Sequence, residues 1–186
     1  IRKKPNEVRF FKQIHSEFEK VSTFFASAKK ELKIRYDRVV DGKNVFINPN
    51  SETMPHRWNR VGRSAYQVHK SLLLLETFAI MNYCAFSKIL KKHDKRTGYS
   101  TKVAFMTNVV NKSNFASYPD LLDMIRGCQA LIEEASKRLE PDEKTKLQDE
   151  YNMLAAMLFK IKSSRDEETD DDTAADEKSC SSEGNG

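Results

Sequence analysis

Seven apolar residues near the start of the chain, Phe11, Ile14, Phe18, Val21, Phe25, Ala28 and Leu32, follow a strict alternation of three and four. Val8 lies before them and Val39 after. Such a stripe is the seam of a helix packed lengthwise on other helices, in the manner of a coiled coil, and no strand can satisfy it. Pro5 suits the first helical turn and Asp41-Gly42 is expected to end it. Some 35 residues then make a rod of roughly 50 Å at 1.5 Å per residue. A stripe of Phe at helical spacing is read as core rather than as a ligand box.

The remaining chain repeats the message. Residues 41–60, with Asp-Gly, Asn-Pro-Asn and Pro55, read as a loop between antiparallel helices; His56 and Trp58 fall in it, Trp58 with a packing role. A second helix is expected from near Arg60, with Ala65, Val68, Leu72, Leu75 and Ala79 on one face. Leu73, Leu74 and Phe78 widen that face, which places the helix centrally in a bundle. His69 reads as a surface or boundary residue. Asn82 is a fitting N-cap for a third helix, Tyr83 to about Lys95, closed by Thr97-Gly98. Short helices around Lys102–Val110 and Tyr118–Ala135 follow, and Pro141 opens a last amphipathic helix through Leu147, Leu154, Leu158 and Ile161. No segment keeps a period of two. The fold class is all-α: an elongated helical bundle with long antiparallel central helices and shorter C-terminal ones. It divides into a bundle over 1–140, an additional helix over 141–163 and a disordered acidic tail over 164–186.

Charge sharpens that division. Of the 186 residues, 32 are Lys or Arg and 27 are Asp or Glu, a net of +5. From Asp166 onward there are nine acids and one base, so residues 1–165 hold 31 bases against 18 acids, a net of +13. The tail has too few apolar side chains to offset its ordering entropy. The basic body should attract an anionic partner. Cys84, Cys128 and Cys180 are too few and too far apart for a disulfide framework or a closed zinc site, and fit a reducing compartment. The apolar run Leu72–Phe86, broken by Glu76, Thr77 and Asn82, reads as too short and too polar for a membrane span. The chain opens Ile1-Arg2-Lys3-Lys4-Pro5, with no secretory leader pattern, and is expected to be a piece of something longer.

Residues 88–95 carry the chemistry: Lys-Ile-Leu-Lys-Lys-His-Asp-Lys. At about 100° per residue, and with Lys88 at zero, Lys91, Lys92 and Lys95 fall at about −60°, +40° and −20°. All four ammonium groups share one arc, while Phe86, Ile89 and Leu90 fall opposite and can anchor the helix. Like charges at these spacings repel, and a multiply charged anion would compensate them. Lysine suits a ligand that presents phosphates in several directions, because each ammonium is a flexible point charge. The plain alternative is a solvated lysine face on a helical protein–protein interaction scaffold. No metal-ligand spacing, phosphate loop or carboxylate pair is present, so neither catalysis nor a metal or cofactor is expected. His93 and Asp94 point about 100° apart and are not expected to converge on one substrate atom. Direct nucleic-acid binding lacks aromatics interleaved with the basic face.

Leu72-Leu73-Leu74-Leu75-Glu76, Asn82-Tyr83 and Lys88 through Gly98 resemble the SPX domain, as does the Phe10-Phe11 to Phe24-Phe25 stretch; the likeness covers roughly residues 7–135. The resemblance implies a sensor of phosphate status that binds inositol polyphosphates or pyrophosphates and regulates a fused or docked effector in phosphate homeostasis. Such effectors are a transporter, a polyphosphate polymerase, a ligase or a transcription factor. It implies Lys92 in the family's phosphate-binding cluster, Lys88, Lys91 and Lys95 in the adjoining patch, and a cytoplasmic setting, facing the cytosol if the whole is a membrane protein. SPX domains open with a helical hairpin that gives a Tyr and a Lys to the site. That hairpin has no counterpart here, so it is either cut away before Ile1 or absent in this member.

Overall fold

In the computed structural model, residues 5–46 and 55–170 are described. They form five α-helices: α1 (Pro5–Phe46), α2 (Pro55–Thr97), α3 (Lys102–Asn108), α4 (Pro119–Ser136) and α5 (Pro141–Asp170), with one 3₁₀ turn at Val110–Lys112. No strand occurs among the described residues, and the all-α architecture stands. Two units separate at Glu140–Pro141.

In the first unit α2 is the central element, packed on α1 and, more extensively, on α4. The α1 stripe does what its spacing demands. Ile14, Phe25 and Leu32 are buried and Phe11, Phe18, Val21 and Ala28 pack partly buried against the same core. Phe18 meets both Phe86 of α2 and Phe115, at ring separations of 5.9 and 5.7 Å. From α4 the core takes Leu121, Met124, Ile125 and Cys128, and from α3 Phe105 and Met106. Asn114 locks the segment after α3 onto α1: its amide donates to the Ser22 carbonyl at 3.0 Å and accepts from the Ser22 hydroxyl at 3.1 Å.

Three expected boundaries move. First, α1 continues through Asp41-Gly42 to Phe46. A glycine inside a helix costs only about 1 kcal/mol, and beyond it Lys43 Nζ reaches Glu134 of α4 at 2.5 Å. That pairing holds the Glu134 carboxyl below its ordinary range. Second, α2 begins at Pro55 rather than near Arg60. Pro55 takes the first turn, where its missing N–H costs nothing. Trp58, 1% exposed, and Val61 then continue the three-four stripe upstream of Ala65, and the Arg138 guanidinium lies 4.2 Å over the Trp58 ring. The middle of the expected loop, 47–54, lies outside the described residues. Third, α2 is unbroken at Asn82. Its amide donates to the Phe78 carbonyl one turn back, at 2.8 Å. The side chain is therefore satisfied inside the helix instead of capping a new one.

His69, expected at a boundary, is fully buried, and burial lowers its pKa. Gly127 permits a close approach of α1 to α4: a Cβ there would collide with the Tyr36 hydroxyl. By length and hydropathy α2 meets the minimum for crossing a membrane, contrary to the expectation for its apolar run; here Leu72, Leu75, Ala79 and Phe86 form the bundle core.

The second unit is described by α5, whose first turn carries Asp142 and Glu143 against the helix dipole. Leu147 and Leu154 are buried, whereas Met153 and Phe159 are exposed. The helix runs to Asp170, so the stretch expected as tail from residue 164 is helical that far. Residues 171–186, including Cys180, lie outside the described residues.

Candidate functional site: the lysine end of α2

The last turns of α2 are fixed from behind and open in front. Leu90 is fully buried and Phe86 nearly so. Lys88, Lys91, Lys92 and Lys95 are all exposed, on the single arc their spacing requires. Ile89 departs from expectation. It is 48% exposed and lines the rim of an apolar groove of about 300 Å³ with Phe10, Ile14 and Phe86. At about 110° from the middle of the lysine arc, its position is lateral rather than opposite. Of the three, Phe86 and Leu90 anchor this helix from the rear.

A second set of contacts sets where α2 stops. Gly98 has φ +73°, and its N–H donates to the Asp94 carbonyl at 2.9 Å. This is the left-handed residue that closes a helix, a conformation glycine adopts without steric cost. The Asp94 carboxylate then reaches across the turn to begin α3. It accepts the backbone N–H of Thr101 at 3.0 Å, that of Lys102 at 2.8 Å and the Thr101 hydroxyl at 2.5 Å. Burial opposes its charge, but the Thr101 hydroxyl, the two N–H groups and His93 together hold its pKa down to about 2.

His93 ties in α1. Its ring stacks on Phe10 at 4.2 Å with planes 11° apart, meets Phe11 edge-on at 5.5 Å, and places Nε2 3.2 Å from Glu7 Oε1. Nδ1 lies 3.4 Å from Asp94 Oδ1. The two side chains therefore touch each other. Neighbouring Cβ vectors diverge, but a His ring and a carboxylate are long enough to swing together at a helix end. Both are committed to holding α1, α2 and α3 at one corner, behind the lysines rather than among them. Sequence reasoning left them without a role. The available signal was an acidic residue just before a Thr-Gly stop with a helix beginning four residues beyond.

Lys95 and Arg96 fall in the last turn of α2, where the negative end of the helix dipole favours cations. This partly offsets the mutual repulsion of four lysines. Elsewhere the described residues hold no group of three or more His, Cys, Asp or Glu placed to bind a metal. Cys128 is buried, and burial pushes its thiol up to about 12, so it is no nucleophile.

The arrangement is thus a convex cationic ridge on a braced helix end, and comparison with known proteins gives it a context. The SPX domain family profile matches residues 41–109, which include the whole lysine ridge. SPX domain-containing protein 5 of Oryza sativa subsp. indica is 30% identical over 128 residues, covering 68% of this chain and 49% of the relative. Residues 41–109 carry the SPX domain signature. SPX domain-containing protein 2 of Arabidopsis thaliana is also 30% identical, over 145 residues, 77% of this chain and 47% of the relative. The chain spans about half the length of these curated SPX relatives. Among solved structures, the fold matches the SPX domain of Chaetomium thermophilum glycerophosphodiester phosphodiesterase 1, described as a complex with inositol hexakisphosphate. The TM-score is 0.61 at 17% identity, covering 69% of this chain and 83% of that one.

Proposed function

We propose that this SPX chain is a non-catalytic sensor of inositol polyphosphates or pyrophosphates, and that Lys88, Lys91, Lys92 and Lys95 receive the ligand. The observation that carries this is the exposure of all four lysines on one face of a braced helix end, in a chain whose structural neighbour is described with inositol hexakisphosphate. A ring bearing phosphates on every carbon presents charge in several directions at once, which a convex row of flexible ammonium groups can meet. Orthophosphate offers too few contacts to engage more than one or two of them. Binding would relieve repulsion along the ridge, and that differential stabilisation is what can bias a fused or docked effector. Transporter, polymerase, ligase and transcription-factor effectors all remain within this reading, in a cytosolic setting.

Calorimetric titration tests it. Inositol hexakisphosphate and an inositol pyrophosphate are expected to bind in the micromolar range or tighter, orthophosphate not measurably, and affinity should fall steeply with salt. A competing reading has its own observation: Phe24, Met81 and Ile89 are about half exposed on α1 and α2, as an interaction scaffold would present them. In that case charge reversal at Lys91 and Lys92 leaves partner binding unchanged.

A further inference from the structure

The opposite end of the bundle carries a second basic feature of a different shape. A cavity of about 430 Å³ opens between the last turns of α1 and the first turns of α2. Arg38, Arg57, Arg60 and His56 line it, and Val39 and Val61 give it apolar walls. Among the described residues no Asp or Glu side chain lines it, and the first turn of α2 holds no acid. Among the described residues neither Arg38 nor Arg60 forms an ion pair, although exposed basic residues elsewhere on α1, such as Lys20 and Lys33, each have a carboxylate partner one turn away. Arg38 and Arg60, brought to one concavity and neither of them ion-paired, repel one another, and a bound anion of at least two charges would relieve that repulsion. Guanidinium forks match phosphoryl oxygens in pairs. The first N–H groups of a helix add partial positive charge at the same end.

We propose that this cavity binds a small organic phosphate, with its phosphoryl groups on Arg38, Arg57 and Arg60 and an apolar or planar body against Val39 and Val61. Its volume is that of a small-molecule pocket. The site is separate from the lysine ridge: Arg60 and Lys92 lie on the same unbroken helix, roughly 48 Å apart at 1.5 Å per residue. One ligand cannot span both, so occupancy of one is independent of charge lost at the other.

Trp58 is the chain's single tryptophan and lies one turn or less from His56, Arg57, Arg60 and Val61, so its indole N–H resonance reports on the cavity. The probes are ADP, which has two phosphoryl groups on a planar body, and inorganic pyrophosphate, which has the charge alone. Titrations use the 186-residue chain carrying Lys91→Ala/Lys92→Ala/Lys95→Ala. The expected result is a saturable shift of the Trp58 indole resonance with ADP, weaker with pyrophosphate. Adding Arg38→Gln/Arg60→Gln should weaken ADP by about tenfold or more, with an unchanged thermal midpoint. Three results would overturn the assignment: no saturable shift, a shift that survives the arginine substitutions, or equal affinity for ADP and pyrophosphate, which would remove any role for the apolar walls.

Discussion

The two ends of α2 solve the problem of holding like charges together in different ways. At the C-terminal end, four lysines stand on a convex, solvent-facing arc, and the protein invests in the rear: buried Leu90 and Phe86, the Asp94 cap on α3, and the His93 stack on Phe10. At the N-terminal end, three arginines face a concavity with apolar walls, and the nearby brace is Trp58 under the Arg138 guanidinium. On the proposed reading, convex lysines leave a ligand's shape open and count its charges, whereas concave arginines constrain both. One helix thus presents two cationic surfaces of different shape, each anchored by a different part of the core.

The largest expected effect strikes the rear of the lysine end. Leu90→Ala removes a fully buried side chain and should cost about 2–5 kcal/mol in unfolding free energy, read by denaturant titration. The lysines should lose their common orientation as a consequence. If stability fell by less than about 1 kcal/mol, Leu90 would not be the anchor claimed here.

Asp94→Asn comes next. A carboxyl held at about 2 in the fold and near its ordinary value when unfolded contributes stability above the unfolded pKa of 3.8, and loses it as pH falls toward 2. The shift corresponds to about 2 kcal/mol near neutral pH. Wild-type stability should therefore drop between pH 4 and 2 by more than that of the asparagine variant. Parallel pH profiles would contradict the cap. Gly127→Ala should also destabilise, by about 1–3 kcal/mol in denaturant titration, because the Tyr36 hydroxyl must move; Tyr36 lies two residues before Arg38 on α1, so the change should be felt at the arginine end of α2 and not at the lysine end. The smallest effect is expected from Glu7→Gln, which keeps the side-chain volume and loses only the charge beside His93. Its thermal midpoint should move by the equivalent of less than about 1 kcal/mol. A larger loss would mean that the His93 corner is held by an ion pair rather than by ring stacking.

How much of this was legible in the sequence depends on whether a feature is periodic. The α1 seam, the α2 face and the lysine arc are spacing patterns, and each is where its spacing puts it; the Thr97-Gly98 stop falls where Gly98, alone among the described residues, takes the left-handed turn. The boundaries that moved were assigned from single residues. Gly42 and Asn82 carry strong local preferences, but pairing across the bundle overrode the first and a bond to the preceding turn satisfied the second. The upstream stripe through Trp58 and Val61 is periodic too, but it is short and follows Asn-Pro-Asn and Pro55, residues that suit a loop as well as the first turn of a helix. The corner built by Glu7, Phe10, His93 and Thr101 joins residues as much as 94 positions apart. No local pattern encodes such a meeting; it follows only once α1 and α2 are packed. The cavity at Arg38, Arg57 and Arg60 is hidden for the same reason, because its arginines come from two helices.

The lysine ridge is proposed as the receptor for inositol polyphosphates. Calorimetric titration of inositol hexakisphosphate into the wild-type chain and into Lys91→Ala/Lys92→Ala/Lys95→Ala tests it most directly, with helicity and thermal midpoint as controls on the fold. A loss of affinity of roughly a hundredfold or more is expected for the variant. Equal affinity in two equally folded proteins would contradict it and leave the lysines as solvated surface.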